Sequence, residues 1–286
     1  MIFLEDGSRT FRRVFNKERR KTFMHVVLFS IGKFTVYTYG MMIAIGVILA
    51  VLVVERRTKK QEQDADAVFM MAVLALIFGF LGAKILYILQ NWRSFLESPA
   101  SVLGSSGFLL FGGIVLGVLA VILYCRARHL SFLRYFDLMM PSVSLAQAFG
   151  RIGCFFAGCC YGKETDAWWG ITFTESTFAP NGVSLIPTQL ISAAGNFLIM
   201  LALLLFAKRA KKVGDVGALY LVLYGAGRFC VEFLRENQHG WVGPLTTDQV
   251  FSLVCLAAGI ILFIRNHKSR EAESYGEEKM FSIWLQ

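Results

Sequence analysis

Residues 67–90 read AVFMMAVLALIFGFLGAKILYILQ, and Lys84 is the one charged side chain in this stretch. A helix needs about 20 apolar residues to cross a hydrocarbon layer of ~30 Å, so this run predicts a transmembrane helix. Similar runs recur along the chain, in which 56% of the residues are hydrophobic and 17% are charged. That composition is too apolar for a soluble domain of 286 residues. The sequence therefore predicts an integral membrane protein.

The apolar runs predict an all-α, polytopic membrane protein with about seven transmembrane helices. Their continuity favours helices over barrel strands, because barrel strands alternate apolar and polar residues over about ten positions. The predicted spans are 34–54, 67–90, 108–125, 135–157, 187–207, 214–234 and 246–265. Residues 24–267 are thus expected to form one transmembrane domain, with a cytoplasmic tail at 268–286.

Basic residues are distributed unevenly between the connections of these spans. The connections after spans one, three, five and seven contain fourteen Lys and Arg residues, whereas the others contain three. Because cytoplasmic loops are rich in Lys and Arg, this predicts an amino terminus outside and a carboxyl terminus in the cytoplasm. We attribute the net charge of +9 to contact with anionic lipids and predict no nucleic-acid partner.

Residues 1–23 do not fit this orientation, because positions 9–21 are strongly basic on the side that should be poor in basic residues. Two interpretations remain. The segment is either an amphipathic arm at the membrane surface or an extension that is not native, with translation starting at Met24. The sequence favours the second.

Charged residues inside the predicted spans are the strongest functional signal. An Arg or Glu in hydrocarbon costs at least ~2.5 kcal/mol and is tolerated mainly where it lines a polar cavity. Arg151 lies about two turns below the outer end of span four. Gly150 and Gly153 flank it and let a backbone or a ligand approach closely. This arrangement is typical of an anion site.

Span six carries a second group of polar residues at intervals of four, four and three. They are Tyr224, Arg228, Glu232 and Arg235, and the spacing predicts that all four share one helix face. A purely structural alternative is that Arg228 and Glu232 neutralise one another, but this does not explain Arg151. Three arginines against one glutamate predict a surplus of cations that suits a phosphate head group.

Three of the six cysteines, Cys154, Cys159 and Cys160, cluster at the outer end of span four. An oxidising exterior would allow a disulfide between two of them, and a reactive thiol or plain packing are the other interpretations. The adjacent pair Cys159-Cys160 fits no common zinc spacing, so we predict no metal site and no cofactor. The remaining cysteines are predicted packing residues, namely Cys125, Cys230 and Cys255.

The two motifs that contain these arginines resemble the signature elements of the prolipoprotein diacylglyceryl transferase family, bacterial enzymes that begin lipoprotein maturation. The motifs are Gly150-Arg-Ile-Gly153 with Gly158 and Gly162, then Tyr224-Gly225, Arg228, Glu232-Phe233 and Arg235. Further matching stretches are Phe29-Ser-Ile-Gly32 with Tyr39-Gly40, Gly112-Gly113 with Gly117, and Pro187-Thr-Gln-Leu190. The resemblance extends from about residue 26 to residue 265, nearly the whole chain.

The resemblance implies transfer of the diacylglyceryl group of phosphatidylglycerol to the cysteine thiol of a lipoprotein signal peptide. Arg151 and Arg228 would stabilise the phosphate leaving group. Glu232 would orient Arg228 or accept the thiol proton, and Tyr39 would hydrogen-bond the head group. The residues expected to contact substrate are Arg235, Tyr224, Gly153, Gly112, Gly113, Gln189 and Lys84. The implied partners are phosphatidylglycerol, prolipoprotein signal peptides and membrane lipids, in the bacterial cytoplasmic membrane.

The chain departs from the family pattern at several polar positions. Phe111 precedes the paired glycines where the family usually has His, and a phenyl ring cannot transfer a proton. Lys84 replaces an Arg, which keeps the charge but loses the planar fork. The other departures are Cys154 for Asn, Ala157 for Asn, Cys159 for Glu and Ser192 for Glu.

These departures leave two hypotheses beside a divergent transferase. In one, Cys159 or Cys160 performs redox or nucleophilic chemistry on a lipid or an exported protein. In the other, the chain binds or transports a phospholipid in the same phosphate pocket without a covalent step.

Overall fold

The computed structural model describes residues 21–22, 27–31, 34–105, 107–174, 176–236, 240–242 and 245–284, and these are mostly helical. The helices are α1 (Thr38–Lys60), α2 (Ala65–Gln90), α3 (Trp92–Glu97), α4 (Pro99–Gly104), α5 (Leu110–Ala127), α6 (Phe132–Ala157), α7 (Thr188–Phe206), α8 (Asp215–Glu232) and α9 (Thr247–Trp284). The predicted all-α architecture is confirmed.

Five of the described helices are long and apolar enough to cross a membrane, namely α1, α2, α5, α7 and residues Thr247–His267 of α9. The protein is therefore a polytopic membrane protein. α6 and α8 coincide with two further predicted spans, but both are less apolar and carry charged residues. The total of seven spans stays a prediction. The helical backbone of α9 also continues to Trp284, beyond the predicted end of the last span at 265.

Polar side chains fix the ends of the first helices. The Asp64 carboxylate accepts hydrogen bonds from the N–H groups of Asp66 at 2.9 Å and Ala67 at 3.2 Å, which starts α2. Basic residues occupy the last turn of α1, where they complement the helix dipole. One of them, Arg57, donates through Nε to the carbonyl oxygen of Leu138 at 3.0 Å. Arg57 thereby ties the end of α1 to the beginning of α6.

The chain divides into two compact units, Glu55–Leu138 on the one hand and Met1–Val54 with Met139–Gln286 on the other. In the unit of residues 55–138, α2 and α5 pack backbone against backbone. A Cβ atom on Gly112 would clash with the carbonyl oxygen of Gly82, and one on Gly113 would lie 2.6 Å from that of Gly79. Small residues allow this close approach between membrane helices. Helix packing therefore requires both glycines, and their predicted substrate contact stays a prediction.

In the unit that contains residues 139–286, polar contacts and small residues hold the four helices α6, α7, α8 and α9 together. The Ser144 hydroxyl on α6 donates to the Asn196 carbonyl oxygen on α7 at 2.8 Å. The Tyr220 hydroxyl on α8 donates to Gln147 Oε1 on α6 at 3.1 Å. A Cβ atom on Gly225 would lie 2.7 Å from the carbonyl oxygen of Ser252, so α8 and α9 are in close contact. α6 and α9 therefore both hold α8, the helix that carries the second arginine motif.

Short strands complete the same unit. They are β1 (Lys21–Thr22), β2 (Val27–Ile31), β3 (Phe34–Tyr37), β4 (Ile171–Phe173), β5 (Ser184–Leu185), β6 (Gly240–Val242) and β7 (Leu245–Thr246). β2–β3 and β6–β7 are antiparallel pairs that precede α1 and α9, and a third sheet has the order β1-β4-β5. Phe155, Phe173, Ala179 and Leu185 form an apolar core beside this third sheet, so the connection between α6 and α7 is a folded cap. Of the predicted extension 1–23, residues 1–20 and 23 lie outside the described residues.

Candidate active site

Four charged side chains meet where α8 ends and α9 begins. Arg228 Nη2 lies 3.0 Å from Glu232 Oε2 and 2.6 Å from Asp248 Oδ2. Arg235 Nη1 lies 3.1 Å from the same oxygen of Glu232 and 3.1 Å from the same oxygen of Asp248. Each carboxylate is therefore shared by both arginines. We call these four residues the junction cluster.

The junction cluster is largely shielded from solvent. The Glu232 side chain is 3% exposed and that of Arg228 9%, whereas Arg235 and Asp248 are 18% and 33% exposed. Charges at such burial are tolerated only when they are paired and hydrogen-bonded. The mutual pairing of two arginines with two carboxylates satisfies this requirement, and the cluster is open to solvent mainly at Asp248.

The position of Arg235 corrects the prediction that one helix face carries all four polar residues of the second motif. α8 ends at Glu232, and Arg235 lies beyond it. The N–H groups of Phe233, Leu234 and Arg235 each donate to the carbonyl oxygen three residues earlier. Because such a tightened turn has three residues per turn, Arg235 returns to the side of Glu232 from outside the helix.

Asp248 is the member of the cluster that the sequence analysis missed. Its carboxylate reduces the predicted surplus of cations, because three arginines now face two carboxylates rather than one. Helical spacing relates only residues of the same helix, so it could not connect Asp248 with Arg228. The available signal was an acidic residue in the first turn of the last predicted span, which by itself is typical of any helix start.

A capping box connects the start of α9 to the junction cluster. The Thr246 hydroxyl accepts a hydrogen bond from the Gln249 N–H at 3.2 Å, and Gln249 Oε1 accepts one from the Thr246 N–H at 3.0 Å. The same hydroxyl donates to Glu232 Oε1 at 3.2 Å. Thr246 therefore fixes the helix start and the Glu232 carboxylate together.

Arg151 lies in the last two turns of α6 and is half-buried. Among the residues that the structure describes, it takes part in no ion pair. Its charge acts on the hydroxyl groups of Tyr39 and Tyr224. A Cβ atom on Gly153 would lie 3.0 Å from Cδ2 of Tyr39, so this glycine lets α6 approach the start of α1. The structure thus brings Arg151, Tyr39, Gly153 and Tyr224 together.

The three predicted thiols lie at the end of α6, and residues from the start of α7 hold the turn that carries two of them. The Thr188 hydroxyl donates to the carbonyl oxygen of Cys160 at 2.7 Å, and Gln189 Nε2 donates to that of Cys159 at 2.8 Å. Gln189 is buried, with 1% of its surface exposed. In the described part of the chain, Gln189 stabilises this turn through its hydrogen bond to Cys159. Its predicted contact with substrate stays a prediction.

Gly162 joins the two arginine motifs. It forms an antiparallel bridge with Arg235, and its N–H donates to the Ile186 carbonyl oxygen at 3.0 Å. A Cβ atom at this position would lie 2.7 Å from the carbonyl oxygens of both Ile186 and Leu234. Three chain segments therefore meet at a position where only a glycine fits. This contact connects the cysteine turn to Arg235.

The neighbouring charges and thiols shift the pKa values of Arg235 and Cys160, which both lie outside the helices. Burial alone would lower the pKa of Arg235, but the Glu232 carboxylate raises it, and the net shift is upward. The neighbouring thiols of Cys154 and Cys159 lower the pKa of Cys160, and the charges of Arg235 and Arg151 add to this against the effect of burial. The surroundings therefore favour a thiolate at Cys160, whereas the pKa of Cys159 is raised by the neighbouring thiols and by burial.

Lys84 and Phe111 belong to the unit of residues 55–138. Lys84 Nζ donates to the carbonyl oxygen of Ser105 at 2.7 Å and lies 5.0 Å from the ring centre of Phe108. It thus holds the connection that precedes α5, and its predicted contact with substrate stays a prediction. Phe111 occupies the second position of α5. A helix start therefore carries a phenyl ring where the family usually has His.

A groove of about 700 Å³ lies beside the start of α1. Its wall combines β3, the first turn of α1, the end of α6 and the cap, and it includes Val36, Tyr39, Met41 and Phe178. The lining is mainly apolar, with Tyr39 as a polar contributor. The charge of Arg151 acts on the hydroxyl of Tyr39, which lies in the wall of this groove.

Comparison with known proteins identifies the family. The profile of the prolipoprotein diacylglyceryl transferases matches residues 26–265. A phosphatidylglycerol–prolipoprotein diacylglyceryl transferase of Clostridium tetani is 43% identical over 242 residues, which cover 84% of this chain and 97% of the relative. A second such transferase of Clostridium perfringens is 38% identical over 257 residues, 89% of this chain and 100% of the relative. The resemblance found in the two arginine motifs is confirmed, and the chain belongs to the prolipoprotein diacylglyceryl transferase family.

Proposed function

We propose that this protein transfers the diacylglyceryl group of phosphatidylglycerol to the cysteine thiol of a prolipoprotein signal peptide. The sulfur forms a bond to the terminal glycerol carbon of the diacylglyceryl group, and the bond from that carbon to the phosphate oxygen breaks. A thioether and glycerol phosphate result, and the thiol proton is taken up by the phosphate product or by water. The names of the relatives specify both substrates.

The main support for this proposal comes from Arg151. The phosphodiester of the lipid bears one negative charge, and the departing phosphate monoester gains a second. A cation that is free to contact the phosphate therefore stabilises the transition state more than the bound substrate. Arg151 has no ion-pair partner among the described side chains, whereas Arg228 and Arg235 are both engaged with carboxylates.

The junction cluster has a positioning role in this mechanism. Glu232 is shared by two guanidinium groups and accepts a hydrogen bond from the Thr246 hydroxyl, so both of its carboxylate oxygens are already engaged by donors. Of the two roles predicted for Glu232, orientation of Arg228 fits these contacts better than proton transfer. Arg228, held by two carboxylates, keeps a fixed geometry and contributes to the positive field at the phosphate without reorganising during the reaction.

The groove beside α1 supplies a place for the apolar parts of the substrates. Acyl chains or an apolar signal-peptide helix would contact Val36, Met41 and Phe178, and Tyr39 would hydrogen-bond the head group from the same wall. Lateral entry from the bilayer suits both substrates, because both reside in the membrane. The proposed partners are therefore phosphatidylglycerol, signal peptides and membrane lipids.

The proposed location is the bacterial cytoplasmic membrane, with the amino terminus outside and the carboxyl terminus in the cytoplasm. The basic last turn of α1, which contains Arg57, Lys59 and Lys60, supports a cytoplasmic position for that helix end. A fluorescent protein fused to the carboxyl terminus should then fluoresce in intact cells. An export-dependent reporter at the same place should be inactive, and the reverse pattern would overturn the orientation.

The transferase proposal is tested with purified protein in vesicles and a peptide that contains a lipoprotein signal sequence with one cysteine. In vesicles with phosphatidylglycerol, the peptide should gain the mass of a diacylglyceryl group. The matched control peptide with Ser in place of Cys should gain nothing, and neither should the Cys peptide in phosphatidylcholine vesicles. Lipid movement without a covalent product would instead support the transport hypothesis, and folded protein that yields no thioether would refute the transferase.

A further inference from the structure

The three thiols at the end of α6 form a compact cluster. The Sγ atoms of Cys154, Cys159 and Cys160 all lie within 4.8 Å of one another. All three are free cysteines and partly buried. The other three cysteines of the chain are not part of this group, and among the described residues no other set of three such side chains converges in this way.

The backbone is shaped to bring these sulfurs together. Gly158, with φ of 72°, ends α6, and the N–H of Cys159 donates to the carbonyl oxygen of Cys154 at 3.1 Å. Cys160 also has a positive φ of 59°, a conformation that non-glycine residues adopt only when the surroundings enforce it. Thr188 and Gln189 enforce it through their hydrogen bonds to the two adjacent carbonyl oxygens.

The surroundings also suit a negatively charged complex. The charges of Arg235 and Arg151 both act on the Cys160 sulfur. Gln189 Oε1 is buried beside the same turn and has no hydrogen-bond partner among the residues that the structure describes. Because buried acceptors are normally satisfied, this atom indicates that a further donor belongs near the turn.

We propose that Cys154, Cys159 and Cys160 together bind one thiophilic d10 metal ion, with Zn²⁺ as the probe. Three thiols lose three protons as three metal–sulfur bonds form, and no electrons are transferred. A Zn–S bond of about 2.3 Å places sulfurs about 3.8 Å apart, so the cluster needs only a small contraction. Water would complete the fourth position of the metal ion. A disulfide, by contrast, uses two sulfurs and leaves the third without a role.

This inference does not depend on the transferase reaction. The sequence predicts no metal site, because adjacent cysteines fit no common zinc spacing. The common zinc spacings, however, assume a regular backbone between the ligands. The left-handed conformation of Cys160 turns its side chain back toward Cys159 and Cys154. Three sulfurs around one point are the donor set that soft metal ions select.

Metal content of the purified protein tests the proposal. The full chain in detergent, reduced without oxygen, is loaded with Zn²⁺, freed of excess metal and analysed by mass spectrometry of the element. We expect about one equivalent, and Co²⁺ in its place should give a thiolate charge-transfer band. Cys154→Ala, Cys159→Ala or Cys160→Ala should each lower Zn²⁺ retention at least tenfold.

The matched control makes the same change at the other three cysteines. The variant Cys125→Ala, Cys230→Ala, Cys255→Ala should keep the full equivalent of Zn²⁺ and the charge-transfer band. Equal loss of metal in this control, or no bound metal in the unmodified protein, would overturn the proposal. A mass lower by two protons that persists in the presence of Zn²⁺ would show a disulfide and overturn it as well. A single cysteine variant that fails to fold is replaced by its Ser counterpart, with elution as a monodisperse peak as the criterion.

Discussion

The two arginine motifs present their charges in opposite ways. At the junction cluster, Arg228 and Arg235 share Glu232 and Asp248, and every charge has an opposite partner within 3.1 Å. At the end of α6, Arg151 has two tyrosines nearby but takes part in no ion pair among the described residues. Burial of charge in a membrane protein requires compensation, so a cation without it is available to an anionic ligand. We therefore propose that pairing separates an arginine that fixes geometry from one that binds phosphate.

The largest effect should come from breaking the paired region. Glu232→Gln leaves Arg228 and Arg235 with one shared carboxylate instead of two, in a site where Glu232 is 3% exposed. Loss of one partner from a buried ion pair costs about 3–5 kcal/mol. Equilibrium unfolding in detergent should therefore show a lower stability by roughly that amount, together with a loss of transferase activity.

The exposed pair Lys59–Glu55 provides the control, because Glu55 forms the same type of contact at 2.7 Å without burial. Glu55→Gln should leave the unfolding midpoint unchanged. If the two substitutions destabilised the protein equally, burial would not distinguish the junction cluster from a surface ion pair.

A substitution of Arg151 should have the opposite effect, with little loss of stability and a large loss of activity. Arg151→Ala removes a cation that pairs with no carboxylate, so the unfolding midpoint should change little. If Arg151 contacts the departing phosphate, kcat should fall about 10²–10³-fold, the effect of removing one stabilising donor, or roughly 2.7–4 kcal/mol. Lipid transfer to the signal peptide and unfolding are measured on the same preparation.

Two further variants sharpen this result. Arg151→Lys keeps the charge without the planar fork and should recover part of the activity. Arg93→Ala removes an exposed arginine on α3 and should change neither quantity. An Arg151→Ala protein that is clearly destabilised but fully active would assign Arg151 to the scaffold.

The parts of the fold that the sequence predicted correctly are those set by local chemistry. The long apolar runs gave the helices, and α2 ends at Gln90 as predicted. The limits are visible at α8, where the spacing of Glu232 and Arg235 suggested a continued helix. The chain instead tightens into a turn because it must meet Gly162, which lies more than 70 positions earlier and is invisible to periodicity.

The site was harder to predict because its contacts connect different elements. Arg228 on α8 forms an ion pair with Asp248 on α9, so the two partners belong to different helices. The three thiols come together because Cys160 adopts a left-handed backbone conformation. Gly112 and Gly113 show the same limit from the other side. Their spacing did not reveal that each accommodates the backbone of α2, and their predicted contact with substrate stays a prediction. Sequence spacing identified the residues and could not identify their partners.

The smallest effect should come from the hydroxyl that connects helix start and cluster. Thr246→Val keeps the shape of the side chain but removes the hydrogen bond to Glu232 and half of the capping box. A lost cap costs about 1 kcal/mol, so the stability should fall by roughly this amount and kcat should fall only a few-fold. Thr247→Val, one residue along, is the matched control and should have no effect. If Thr246→Val lowered kcat as much as Arg151→Ala while stability held, the junction cluster would itself contact the reacting phosphate, and the contrast between paired and open arginines would fail.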